Sequence, residues 1–190
     1  MESEEQVAQS PSQHAKFRRV YTTHHAAIRD YCFRRLPPAD ANDATAEVFV
    51  VVWRKIDTVP AGDRVLPYLY GIARNTVANA RRSHRRRGRL DGRASAQHVE
   101  FVEGPEAQVV QRDEARRILG GLEHLSETEQ ELLRLKAWEQ LSNAQIAEAM
   151  GISLRAVDSR LTRARKKLAR RANLASPLAL PRSSEKGGER

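Results

Sequence analysis

Arg155, Ser159, Thr162, Arg163, Lys166 and Arg170 fall on one side of a helix turned at 100° per residue. These side chains make no nucleophile–base pair and no metal ligand set. Their chemistry is hydrogen bonding and positive charge. Guanidinium groups can bond guanine edges or phosphates, hydroxyls can reach either, and the first turn of such a helix is the part that meets bases in a major groove. Arg155 and Ser159 are therefore the base-reading candidates. Ser153, Thr162, Arg163 and Lys166 belong to the same surface, with Arg160 and Lys167 on its flanks. The opposite side, Leu154, Val157, Leu161, Ala164 and Leu168, is predicted to pack inward.

The elements that must hold this face are written just before it. Ser142 is a helix cap, Gln145 closes a capping box with it, and Leu141 can pack on Ile146 as a hydrophobic staple. Gly151 marks the end of that helix. Ser153 is the next cap, and Ile152 can staple onto Val157. Two caps this close predict a helix-turn-helix over Leu141–Arg171. A solvated basic face on an ordinary helical hairpin is the plain alternative, and it accounts for neither the caps nor the turn.

The chain has 190 residues and a formal charge of +9, which points to a polyanionic partner and allows one moderate domain or two small ones. No stretch approaches the roughly 20 apolar residues of a membrane span. The start, MESEEQVAQSPSQ, lacks the pattern of a secretory signal, so a cytoplasmic protein without membrane insertion is expected. Cys32 has no partner for an internal disulfide and reads as a small buried residue. The adjacent His24 and His25 point about 100° apart on a helix, so neither metal nor cofactor is expected. The chain is not expected to be an enzyme.

Few aromatics and few alternating β-branched runs predict an all-α fold of two small helical domains joined by a flexible linker. After a polar tail over residues 1–12, a first helix is predicted from Gln13 to Leu36 with Phe17, Val20, Tyr21, His24, Ile28, Tyr31 and Cys32 inward. Pro37 and Pro38 end it. Asp40 is read as the cap of a second helix reaching Ile56, in which Phe49, Val50 and Trp53 extend the apolar surface beyond one stripe. The loop Asp57–Asp63 leads to a third helix with Pro67 in its first turn and Leu66, Leu69, Tyr70, Ile72, Ala73, Val77 and Ala80 on its apolar side. That helix ends in RRSHRRRGR, dense enough in arginine to track a phosphate backbone. The first domain is thus placed over 13–88 and a linker over 89–105. The second domain spans 106–172, opening with a helix to Leu125 that carries Val109, Ile118, Leu119 and Leu122 inward, followed by a polar tail over 173–190. Ser126 and Glu129 form a further capping box ahead of Leu132, Leu133, Leu135 and Trp138.

Taken together, DANDATAEVFVVVWRKI, LPYLYGIARNTVANARRSHRRR and the capped helix-turn-helix resemble bacterial RNA polymerase sigma factors of the extracytoplasmic-function class, in the sigma-70 family. The resemblance covers most of the chain. It implies a subunit without an active site that binds the polymerase core, recognises minus-ten and minus-thirty-five promoter elements and helps open the duplex. By the resemblance, Asp43, Glu47, Phe49 and Arg54 dock on the clamp helices of the β′ subunit, and the second domain meets the β flap. Asp57 and Asp63 lie in the loop that holds a flipped base, while Arg74, Asn75, Asn79, Arg82, Arg85 and Arg86 contact the minus-ten strand. An anti-sigma factor is a further partner the family allows. Ala46, Tyr68 and Gly71 depart from residues common in the family at those points. The competing reading is a stand-alone helix-turn-helix regulator with the first half as a dimerisation or sensing domain.

Overall fold

The computed structural model describes residues 10–90 and 117–172, with backbone alone at Arg85 and at residues 87–90. Every regular element among these residues is helical. The contacts divide the chain into two units, Met1–Glu100 and Phe101–Arg190.

The first unit is a bundle of α1 (Pro11–Phe33), α2 (Pro38–Arg54) and α3 (Val65–Leu90), each packed on the other two. The spacing of Ala41, Ala44, Val48 and Val52 puts all four on one stripe of α2, and all are buried. They meet Val20, Ile28, Tyr31 and Cys32 of α1 and Leu69, Tyr70, Ala73 and Val77 of α3 in one core. Burying each large aliphatic side chain contributes about 1.5–3 kcal/mol. Two short 3₁₀ turns, Ile56–Thr58 and Gly62–Arg64, carry the chain from α2 to α3.

Several boundaries differ from the sequence expectation. Helix α1 begins at Pro11 because Ser10 caps it, forming a reciprocal box with Gln13, so residues 10–12 are the helix start and not tail. It ends at Phe33, earlier than Leu36, since a residue before proline is pushed out of the α region and the chain must leave the helix ahead of Pro37. Asp40 does not cap α2. Pro38 occupies the first helical position with its φ preset and no N–H to satisfy, so the helix starts without any side-chain cap. Asp40 instead sits in the first turn, favourable to the helix dipole, and pairs with His84 of α3 at 3.5 Å. Helix α3 continues through Gly88 to Leu90.

The second unit contains α4 (residues 117–123), α5 (Glu127–Ala137), α6 (Asn143–Met150) and α7 (Leu154–Arg171). Helices α5, α6 and α7 pack on one another around Leu132, Leu135, Leu141, Ile146, Val157 and Leu161. Ser126 and Ser142 each form the expected capping box, and Ser153 caps α7 through the Ala156 N–H at 3.2 Å. Gly121 has a reason the sequence does not announce. A Cβ there would lie 2.9 Å from Leu168 Cδ1 and 3.3 Å from Ala172 Cβ, so the missing side chain lets α4 approach the end of α7. Its neighbour Gly120 has open space. The expected helix start over 106–116 with Val109, the linker over 91–105 and the tails at 1–9 and 173–190 lie outside the described residues.

Candidate nucleic-acid interface and docking surface

The turn before α7 is built by local chemistry. The Ser142 hydroxyl accepts from the Gln145 N–H at 3.1 Å while the Gln145 side chain accepts from the Ser142 N–H at 2.9 Å. Helix α6 stops at Gly151, whose φ of 64° is the left-handed conformation that glycine adopts without a Cβ clash. The Ile152 N–H returns to the Ala147 carbonyl at 3.1 Å, satisfying the helix end. A link absent from the sequence reading then fixes the two helices, since the Asn143 side-chain amide donates to Asp158 Oδ1 at 2.6 Å. Behind them, buried Lys136 donates to the Leu141 carbonyl at 3.1 Å and holds the α5–α6 turn, where Gln140 takes a φ of 54°. Burial pushes the Lys136 ammonium down from its ordinary value, with Arg165 adding to the effect and Asp158 opposing it.

On α7 the structure brings the expected residues onto one surface. Arg155, Ser159, Thr162, Arg163, Lys166 and Arg170 are exposed, whereas Val157, Leu161, Ala164 and Leu168 are buried. Ser153 is exposed and Arg160 half-buried. Thr162 donates its hydroxyl hydrogen to the Asp158 carbonyl at 2.9 Å, which leaves the oxygen's lone pairs as acceptors. Lys167 is committed elsewhere. It pairs with Glu129 at 2.6 Å, and with the Ser126 cap this holds the Glu129 carboxyl below its usual range despite an opposing effect of burial. One residue breaks the expected pattern. Leu154, assigned to the inward stripe, is 49% exposed, because as the first helical residue it lies ahead of the turns that pack inward.

The first unit presents two different surfaces. Along α3, Asn75, Asn79, Arg82 and Arg86 recur at helical spacing and are exposed, with Arg82 hydrogen-bonded to the Asn79 side-chain oxygen. Arg74 is half-buried, and the Arg85 side chain lies outside the described residues. The arginine run is not uniform, since Arg81 turns back to donate to the Arg35 carbonyl at 3.3 and 3.0 Å. In the preceding loop, Asp57 and Asp63 are exposed, but Asp57 is already engaged by the Gln13 amide at 2.9 Å to each carboxylate oxygen. Lys16 secures the same loop by donating to the Ile56 and Val59 carbonyls at 2.8 and 2.7 Å. Thr58 and Tyr68 hydroxyls lie 3.3 Å apart across it.

On α2, Asp43, Glu47 and Arg54 share an exposed edge, and Phe49 does not belong to it. Phe49 is buried, edge-on to Phe17 and Tyr21 with ring centroids at 6.5 and 4.8 Å, and stacked with His25 at 5.7 Å. Its position is six residues from Asp43, about 240° around the helix, which turns it toward α1. Val50, seven residues from Asp43, takes its place on the exposed edge at 46% exposure. Helical spacing puts Val50 on the side of Asp43, but which of the two neighbours is covered is decided by the packing of α1 and α3 on α2. Between α1 and α2 runs an apolar groove of about 620 Å³ lined by His14, Phe17, Tyr21, Phe49, Val50 and Trp53. His24 is half-buried, and burial pushes its imidazole below the ordinary value. Among the described residues no group of three or more His, Cys, Asp or Glu is arranged to hold a metal, and no helix is long and apolar enough to cross a membrane.

Comparison with known proteins gives this arrangement its relatives. Residues 20–87 match the family model for sigma-70 region 2, and residues 115–168 match that for sigma-70 region 4. The chain is 31% identical over 136 residues to the RNA polymerase sigma factor NccH of Alcaligenes xylosoxydans xylosoxydans, covering 70% of this chain and 73% of that one. It is 29% identical over 179 residues to the ECF RNA polymerase sigma factor SigG of Mycobacterium tuberculosis, covering 82% of this chain and 48% of SigG. The fold is similar to that of the sigma factor RpoE of Bartonella quintana, solved in complex with the anti-sigma factor NepR, with a TM-score of 0.58 at 22% identity over 84% of this chain and 98% of that one. With both region models matched in order on one chain, and a curated sigma factor aligned over most of its length, the chain belongs to the extracytoplasmic-function class of the sigma-70 family.

Proposed function

We propose that this chain is a dissociable promoter-specificity subunit that binds RNA polymerase core, recognises minus-ten and minus-thirty-five elements and promotes opening of the duplex. The observation that carries the reading is the exposed row of Arg155, Ser159, Thr162, Arg163 and Lys166 behind a turn capped on both sides, in a chain of this family. In the proposed roles, α7 reads the minus-thirty-five element in the major groove, with Arg155 and Ser159 nearest the bases. The stripe Asn75, Asn79, Arg82 and Arg86 follows the minus-ten strand, with Arg74 and Arg85 beside it. Asp57 and Asp63 lie in the loop that holds a displaced base. Extruding that base costs a few kcal/mol, which cationic contacts to the backbone and stacking offset.

Core binding is assigned to Asp43, Glu47 and Arg54 on the exposed edge of α2, docked on the clamp helices of β′, with Phe49 supporting that edge from inside. The second domain engages the β flap. An anti-sigma protein covering these surfaces would hold the factor inactive. The chain acts in the cytoplasm and contributes recognition, with no catalytic step of its own. Reconstitution with core polymerase tests the reading: promoter-directed transcripts should appear only when both are present, and the chain alone should bind promoter DNA weakly. Tight sequence-specific binding without core, together with no new transcript in its presence, would make it a stand-alone regulator instead.

A further inference from the structure

At the tip of α7, ahead of the turns that pack inward, one apolar side chain stands among polar ones. Leu154 is 49% exposed, more than Tyr21 at 40% or Val50 at 46%, and those two line the apolar groove between α1 and α2. Leu154 has a polar setting. Its chain neighbours Ser153 and Arg155 are both exposed, and it stands in the first turn of the helix that carries the base-reading candidates. Its place is fixed from two directions. Ser153 caps the first turn through the Ala156 N–H, and one turn further along the same side Asp158 is tied to Asn143 of α6. A carboxylate in that position repels phosphate, so this edge of the helix suits the floor of the groove better than its phosphate walls.

On the major-groove edges of the four base pairs the C5-methyl of thymine is the one alkyl group, standing where cytosine has only a C–H, among hydrogen-bond donors and acceptors. We infer that Leu154 is a specificity-determining residue that covers a thymine methyl in the minus-thirty-five element. The inference rests on the reading of α7 as the DNA-reading helix. It adds an apolar contact to a surface otherwise made of guanidinium, ammonium and hydroxyl groups, and it accounts for a leucine kept in water in the free protein.

Holoenzyme reconstituted from core polymerase and the full chain, wild type or Leu154→Ala, is given promoter duplexes randomised across the upstream element, and the transcripts are sequenced. The wild type should enrich thymine at one position on either strand, and the variant should lose that enrichment while keeping the others. Deoxyuridine, which lacks only the methyl, is then placed at that position. Wild-type initiation should fall about fourfold, the effect of withdrawing one buried methyl group from an apolar contact, and the variant should not respond. Because the side chain is exposed, the variant should melt like the wild type. No enriched thymine with the wild type, equal enrichment by the variant, or the same uracil penalty in both would overturn the inference. Absence of any promoter-directed transcript with the wild type would overturn the sigma-factor reading, and this inference with it.

Discussion

In the second unit, α5, α6 and α7 each begin on a serine whose hydroxyl accepts a backbone N–H, whereas in the first unit α2 starts on proline with no side-chain cap. The first unit is held from inside instead. Arg35, only 2% exposed, lies with its guanidinium 3.5 Å above the Tyr31 ring and donates to the Tyr31 carbonyl at 3.1 Å. Its own carbonyl takes the two bonds from Arg81, and toward the opposite end of α1 Phe17, Tyr21, Phe49 and Trp53 form a chain of edge-on rings. Length accounts for α6, whose eight residues gain little from propagation and need their ends satisfied, but it does not sort the units, since 23-residue α1 has its own Ser10 box and 18-residue α7 its Ser153 cap. What sets the units apart is that every turn of the helix-turn-helix is fixed by a local cap, whereas the α1–α2 and α2–α3 connections lack one and rely on long-range contacts.

That contrast can be broken by substitution. Phe49→Ala should cost about 3–5 kcal/mol and fall on the first unit alone, read by hydrogen exchange during urea titration. Equal loss of protection in both units would show that they do not unfold independently. Next in size, Gly121→Ala should destabilise the second unit by about 1–3 kcal/mol, because the new methyl must displace Leu168 and Ala172. Gly120→Ala, one residue away with open space, should instead stabilise it by about 0.5–1 kcal/mol. Thermal melts of the pair that shift together would remove the close approach as the explanation. Ser142→Ala should cost about 1 kcal/mol through the lost cap, and Ser142→Gly only a few tenths.

The smallest effect has a defined sign. Glu129 has a folded-state pKa below its unfolded value, first because of the Lys167 bond and then through the Ser126 cap. Its contribution is complete above the ordinary glutamate value near 4.5 and is lost as pH falls through the depressed folded value. Glu129→Gln should therefore flatten the acid limb of the second unit's stability profile, measured by melting as the pH is lowered through and below the ordinary glutamate value. An unchanged acid limb would mean that Lys167 and Glu129 are held together only weakly in solution.

The helix-turn-helix was legible because its signals are local: Ser142 with Gln145, Gly151 and Ser153 act on backbone groups within a few residues of themselves. The three-helix pattern of the first unit was legible from periodicity, but its edges were not. Asp40 has the residue type of a cap, but Pro38 already starts α2 without one, and the α1 periodicity runs to Leu36 while Pro37 keeps the residue before it out of the helix. Among the candidate site residues, those on α7 could be assigned from one stripe, since a helix lying on its neighbours has one outer side. Phe49 and Val50 could not be separated in that way, because α2 is covered by both α1 and α3.

By itself the sequence determined the helical composition, the capped turn and the order of basic faces along the chain, since propensity, caps and spacing act within a few residues. Only the tertiary structure decided which members of each stripe reach solvent. It turned Phe49 inward and left Val50 out, spent Arg81 on the Arg35 carbonyl, made Gly121 a contact point, and left Leu154 uncovered at the tip of α7. The physical reason is that a side chain's exposure depends on where the neighbouring helices begin and end, which no single helix encodes.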